Sequence, residues 1–89
     1  MIHKEITIIN RLGLHARAAA KLVNCASRYG SSIQLLRNGQ RVNGKSIMGV
    51  MMLAASQGTA LEVEVNGEDE TEAIAALELL INERFGESE

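Results

Sequence analysis

Gly13-Leu14-His15-Ala16-Arg17 is the constellation in this chain best suited to group transfer. The run after it, Ala18-Ala19-Ala20-Lys21-Leu22-Val23, has high helix propensity, which places His15 at a helix N-cap or just before it. A helix start presents unpaired N–H groups and the positive end of the dipole, and both attract anions. Arg17 adds a permanent cation whose planar donor fork suits phosphate. The same positive end disfavours an imidazolium, so the spacing describes a neutral, nucleophilic ring nitrogen beside a seat for a phosphoryl group. The plainer reading of one histidine in a loop is a solvated or capping side chain. It is the combination of glycine, arginine and helix start that favours the chemical reading.

The elements that must position this loop can be read from hydrophobic periodicity. Ile2 to Ile9 is β-branched and roughly alternating, a strand with Ile2, Lys4, Ile6 and Ile8 on one face and His3 at an edge or facing solvent. Asn10 to Gly13 breaks it and delivers His15. The helix that follows is predicted to run to about Arg28, with Ala19, Leu22, Val23 and Ala26 as its buried stripe and Tyr29-Gly30 as its stop. Ile33–Arg37 and Gln40–Asn43 flank Asn38-Gly39, a strong hairpin signal, with Leu35 and Val42 as core candidates. Ser46 reads as the N-cap of a short helix over Ile47–Leu53. That helix carries Ile47, Met48, Val50, Met51, Met52 and Leu53, more apolar surface than one short helix needs to bury. Any one of these methionines reads as core filler; together they read as an adaptable docking surface, on an element that Gly49 weakens. Leu61 to Asn66 alternates as a half-exposed strand ended by Gly67. Asp69 with Glu72 resembles a capping box for a last helix that points Ala73, Ile74, Leu77, Leu80 and Ile81 inward and Glu70, Glu78 and Glu83 outward. Residues Gly86 to Glu89 are expected to fray.

The resulting order, β-α-β-β-α-β-α, predicts an α+β fold of the split βαβ kind. This is a two-layer, open-faced sandwich with a four-stranded, largely antiparallel sheet and three helices on one face. Strand order is not readable from the pattern.

Composition narrows the function classes. At 89 residues, 46% of them apolar and 22% charged, the chain reads as one globular domain spanning 1–89, without repeats or linkers. Tyr29 and Phe85 are the only aromatics, which predicts an aliphatic core and argues against a base-stacking nucleic-acid module. The single cysteine, Cys25, excludes an intramolecular disulfide and a CxxC metal site, and reads as helix packing; no metal or cofactor is implied. Lys4 and Glu5 interrupt any signal-peptide run, and no stretch approaches the roughly 18 apolar residues of a membrane span, so a cytoplasmic location without membrane insertion is expected. Net charge is only −2, yet eight of the nine Lys and Arg residues precede position 51 and ten of the eleven carboxylates follow it. Such polarity describes either two solvated faces or a basic end that steers phosphate and acidic partners towards His15.

Taken together, two stretches resemble the histidine-containing phosphocarrier (HPr) family of the bacterial phosphoenolpyruvate-dependent phosphotransferase system. Asn10-Arg11-Leu12-Gly13-Leu14-His15-Ala16-Arg17 is similar to the family's active-site loop, and Lys45-Ser46-Ile47-Met48-Gly49-Val50-Met51 to its regulatory-serine signature. Gln57-Gly58-Thr59 and Gly67-Glu68-Asp69-Glu70 also match in type and place, so the resemblance covers essentially the whole chain. It implies that His15 accepts a phosphoryl group on Nδ1 from enzyme I and passes it to the A component of a sugar permease. It also implies that Arg17 and the backbone N–H groups of Ala16 and Arg17 hold the group. Transfer of this kind is mainly positioning and charge stabilisation. Ser46 resembles the serine that a dedicated kinase modifies, and a phosphate there would set negative charge beside Met48 and Met51; the plain alternative is an N-cap with no modifying enzyme. The partner surface is assigned to Leu14, Ala20, Lys21, Ile47, Met48 and Met51, and the chain is taken as a monomer.

One position departs from the pattern. The family motif usually runs His-x-Arg-Pro, whereas Ala18 stands here in a chain with no proline at all. Alanine is an excellent helix former, so the helix is expected to survive with a less rigid start and one extra N–H near the phosphate. Three other functions compete with the sugar-branch carrier. A nitrogen-branch paralogue shares its chemistry, and a purely regulatory module would act through Ser46 alone. A self-contained enzyme would need a second acid–base group near His15, and the sequence places none there.

Overall fold

The computed structural model describes residues 1–89. In chain order it contains β1 (Ile2–Thr7), α1 (Ala16–Ala26), β2 (Ser32–Arg37), β3 (Gln40–Asn43), α2 (Ile47–Met52), β4 (Ala60–Asn66) and α3 (Glu70–Asn82). A single 3-10 turn at Arg84–Gly86 follows. The four strands form one sheet in the order β1-β4-β2-β3, and every neighbouring pair is antiparallel. The predicted α+β sandwich is therefore the observed one, and the strand order is the structural addition. β4, the last strand in sequence, sits in the middle of the sheet.

Register explains which residues the helices cover. Ile2, Val65 and Ile33 lie in one row across the sheet, and Lys4, Val63, Leu35 and Val42 in the next. Alternation sends both rows to the same face, where Ile33, Leu35, Val63 and Val65 are almost fully buried within a 22-residue apolar cluster shared with the helices. Lys4 is the one charge in these rows. It stands at the edge strand, so its ammonium can leave the core face and pair with Glu78 of α3 at 2.8 Å. Asn38 and Gly39 close the β2–β3 hairpin with φ of 51° and 78°, the doubly left-handed geometry of a type I′ turn.

Several expectations shift. α1 stops at Ala26 rather than near Arg28, and Ser27 caps it by donating its N–H to the carbonyls of Cys25 and Val23. Cys25 is buried in the packed face and burial pushes its thiol pKa up. α2 ends at Met52, one residue short of Leu53, which is buried as its C-cap. Asp69 is the N-cap residue of α3 but makes no capping-box bond there. Its carboxylate instead accepts from the Gly30 and Ser31 amides at 2.9 and 3.0 Å, and from the Ser31 hydroxyl, tying the start of α3 to the turn after α1. The core is aliphatic but for Phe85, one of its largest fully buried side chains. Residues 87–89, expected to fray, lie against the loop that carries His15: Glu87 contacts Asn10 and His15, and the Arg11 amide donates to the Glu89 carbonyl at 2.5 Å.

Candidate functional site

The loop between β1 and α1 is set by a glycine and an asparagine. Gly13 has φ +67°, and a Cβ built on it would lie 2.6 Å from the Ala55 carbonyl oxygen. Both the backbone conformation and the close approach therefore require glycine. Leu14 then donates its N–H to that same Ala55 oxygen at 2.8 Å. Asn10, fully buried, donates from Nδ2 to the Gly13 carbonyl at 2.8 Å. Leu14 is 6% exposed. Its side chain belongs to the core, which removes it from the expected partner surface: the loop must bury one apolar residue to stay closed on residues 55 and 56.

His15 is the N-cap of α1 in an extended conformation, and its carbonyl accepts the first helical bond, from Ala19 at 2.8 Å. The amides of Ala16, Arg17 and Ala18 have no hydrogen-bond partner, as the first turn of a helix dictates. Arg17 is exposed and makes no hydrogen bond or ion pair, and Ala16 beside it is exposed too. Ala18 is fully buried, and the helix starts regularly at Ala16 without a proline. The ring of His15 is 30% exposed; its Nε2 contacts the Glu87 carboxylate, and its Nδ1 has no partner. Glu87 also accepts from Asn10 Nδ2 at 3.0 Å. These hydrogen bonds, from Asn10 first and His15 second, hold the Glu87 carboxyl below the ordinary carboxylate range.

Glu87 is the residue that sequence reasoning missed. No second acid–base group was expected near His15, and residues 86–89 were expected to fray. The available signal was Phe85, a large apolar side chain immediately before the segment expected to fray. Arg84 and Phe85 both adopt left-handed φ, 57° and 55°, followed by Gly86 at 80°. Two non-glycine residues in that region cost of order 1 kcal/mol each, which burial of the phenyl ring offsets. The turn is held further by Lys21, whose Nζ donates to the Phe85 carbonyl at 2.6 Å. Lys21 is thus exposed but already engaged, and Ala20 next to it is half-buried.

Ser46 caps α2, its Oγ accepting from the Gly49 amide at 3.2 Å. Of α2 only Val50 is buried; Ile47, Met48, Met51 and Met52 are exposed, Met48 to 73%. Leu12, in the His15 loop, is exposed as well, although the expected partner surface did not include it. No group of three or more His, Cys, Asp or Glu side chains is arranged to hold a metal, and no helix is long and apolar enough to cross a membrane. At the start of α1, His15 Nδ1, the amides of Ala16, Arg17 and Ala18 and the Arg17 guanidinium are all without a hydrogen-bond partner.

Comparison with known proteins agrees with this geometry. A family model described as the PTS HPr component phosphorylation site matches residues 2–83. The phosphocarrier protein HPr of Neisseria meningitidis serogroup A is 55% identical over 89 residues, covering all of both chains. The crystal structure of HPr-C-His from Thermoanaerobacter tengcongensis superposes with a TM-score of 0.96 at 46% identity, again over 100% of each chain. An HPr dimer from the same organism gives 0.79 at 47% identity, covering 98% of this chain and 100% of that one. Family model, relative and solved structures all span the His15 loop, α2 and the sheet between them, and on that ground the chain belongs to the HPr family, the phosphocarrier proteins of the phosphotransferase system.

Proposed function

We propose that this chain carries a phosphoryl group on His15 Nδ1, receiving it from enzyme I and passing it to the A component of a sugar permease. The observation that carries the reading is the N-cap placement of His15, with its Nδ1 unpartnered and the first three amides of α1 free. The Nδ1 lone pair forms the N–P bond as the donor's bond to phosphorus breaks and its electron pair stays on the donor. The free amides of Ala16 and Arg17 and the Arg17 guanidinium offset the charge on the phosphoryl oxygens. Exposed donors hold the group without enclosing it, which suits a stoichiometric carrier working as a single cytoplasmic domain and a monomer, rather than an enzyme. Ser46 is proposed as a regulatory phosphorylation site for a serine kinase, and Ile47, Met48 and Met51, with Ala20 and Lys21 across the site, as partner surface. Leu14 drops out of that surface because it is buried.

Intact mass after incubation with enzyme I and phosphoenolpyruvate tests the assignment. One acid-labile phosphoryl adduct is expected on the wild type and none on His15→Ala. An adduct that survives the substitution, or none on a folded wild type, would contradict it.

A further inference from the structure

The contact between Glu87 and His15 has a chemical direction. Glu87 is an acceptor at both oxygens, and it faces Nε2, not Nδ1. A neutral imidazole bonded this way must carry its proton on Nε2, which leaves the lone pair on Nδ1. We infer that Glu87, held over the site by the left-handed turn at 84–86, is a positioning residue for phosphoryl transfer. It fixes the His15 tautomer with a nucleophilic Nδ1 and balances the ring charge that appears when Nδ1 is phosphorylated. The inference rests on the carrier reading for its kinetic consequence but not for its tautomeric one.

When Nδ1 takes the phosphoryl group, the Nε2 proton has no need to leave, and the ring becomes an N-phosphoryl imidazolium with a positive charge. The Glu87 carboxylate meets that charge at Nε2. When the group departs, the N–P bonding pair returns to Nδ1 and the ring is neutral again with its proton still on Nε2. No proton is exchanged with solvent in either direction, which keeps a carrier equally ready to load and unload. Three interactions hold the carboxylate in place independently of His15. Asn10 Nδ2 donates to its other oxygen at 3.0 Å, Lys21 clamps the Phe85 carbonyl at 2.6 Å, and Phe85 itself is 1% exposed. The Arg11 side chain pairs with Glu89 at 2.7 Å, but in solvent, so that contact adds little.

Glu87→Gln is the discriminating variant. Asn10 presents a donor, so the new amide must turn its oxygen there and its NH2 towards the ring. A donor facing Nε2 calls for the opposite tautomer, with the proton on Nδ1. The experiment is long-range 1H–15N correlation on the imidazole of His15 at alkaline pH, in unphosphorylated wild type, Glu87→Gln and Glu89→Gln. Single-turnover phosphoryl uptake from enzyme I is measured on the same three proteins. The wild type and Glu89→Gln are expected to show a protonated Nε2 and a bare Nδ1. Glu87→Gln is expected to shift the proton towards Nδ1 and slow uptake by at least about tenfold, as loss of a tautomer-setting carboxylate does elsewhere. An unchanged tautomer in Glu87→Gln overturns the inference, and so does a reversed tautomer with an unchanged rate. Failure of the wild type to take up phosphate would instead overturn the carrier reading, and the spectra would still decide the tautomer.

Discussion

Arg17 makes no hydrogen bond and no ion pair, so its replacement removes a charge and a donor fork and nothing structural. Arg17→Ala should leave the melting temperature within about a degree of wild type and lower the single-turnover uptake rate by roughly tenfold or more. Arg17→Lys, which keeps the charge without the bidentate geometry, should fall between. A large loss of stability in Arg17→Ala would show that the side chain has a structural partner after all. At this scale the sequence is most informative where the determinants are local. His15, Arg17 and the helix start lie within a few residues of one another, and propensity alone places them. Gly13 was visible as a glycine, but the reason for it, the Ala55 carbonyl where a Cβ would sit, is 42 positions further along the chain. Glu87 lies 72 positions from His15, and no local pattern reports such a contact.

Among the elements, α2 shows how much a short helix can depend on its cap. Six residues with a central glycine have little intrinsic stability, and the one side-chain bond at its start is Ser46 Oγ to the Gly49 amide. Ser46→Ala should cost about 1 kcal/mol of unfolding free energy. Ser46→Asp keeps a good cap and should hold stability near wild type, yet place a carboxylate beside Met48 and Met51. If those residues are partner surface, calorimetric titration should show weaker binding of acidic partners to Ser46→Asp than to Ser46→Ala. Equal affinities would remove the surface from the account. The apolar excess of α2 was legible because a short helix has only one face to bury. The Asp69–Glu72 box was misread for the opposite reason: a carboxylate at an N-cap satisfies the sequence motif, while the turn after α1 offers it three donors from outside the helix.

Over the whole molecule, the basic first half and the acidic second half are joined by several ion pairs. Inside the sheet, β4 supplies the carboxylates of two contacts: Glu64 pairs with Arg41 of β3 at 2.6 Å, and Glu62 contacts His3 of β1 at 3.2 Å. Lys4 with Glu78 and Arg11 with Glu89 join the halves in the same way, which leaves Arg17 among the unpaired cations. These pairs follow from strand order and helix packing, which periodicity does not encode. These long-range carboxylate contacts also set the acid response. Asp69 is held below the ordinary carboxylate range, chiefly by the Ser31 hydroxyl and then by the Gly30 amide. A depressed carboxylate contributes stability above its unfolded pKa, about 3.9 for Asp, and loses it as pH falls through the lower folded value. Thermal melts should therefore show a falling Tm below about pH 4, and Asp69→Asn should melt lower at neutral pH with a shallower acid decline. A parallel decline in both proteins would place the acid sensitivity elsewhere. The carrier claim itself is tested most directly by a chase. The purified phosphorylated chain is mixed with the A component of a sugar permease, and both masses are followed. We expect the phosphoryl group to leave His15 and appear on the partner one for one, without loss to water. A group that stays on this chain, or departs only as inorganic phosphate, would contradict the account.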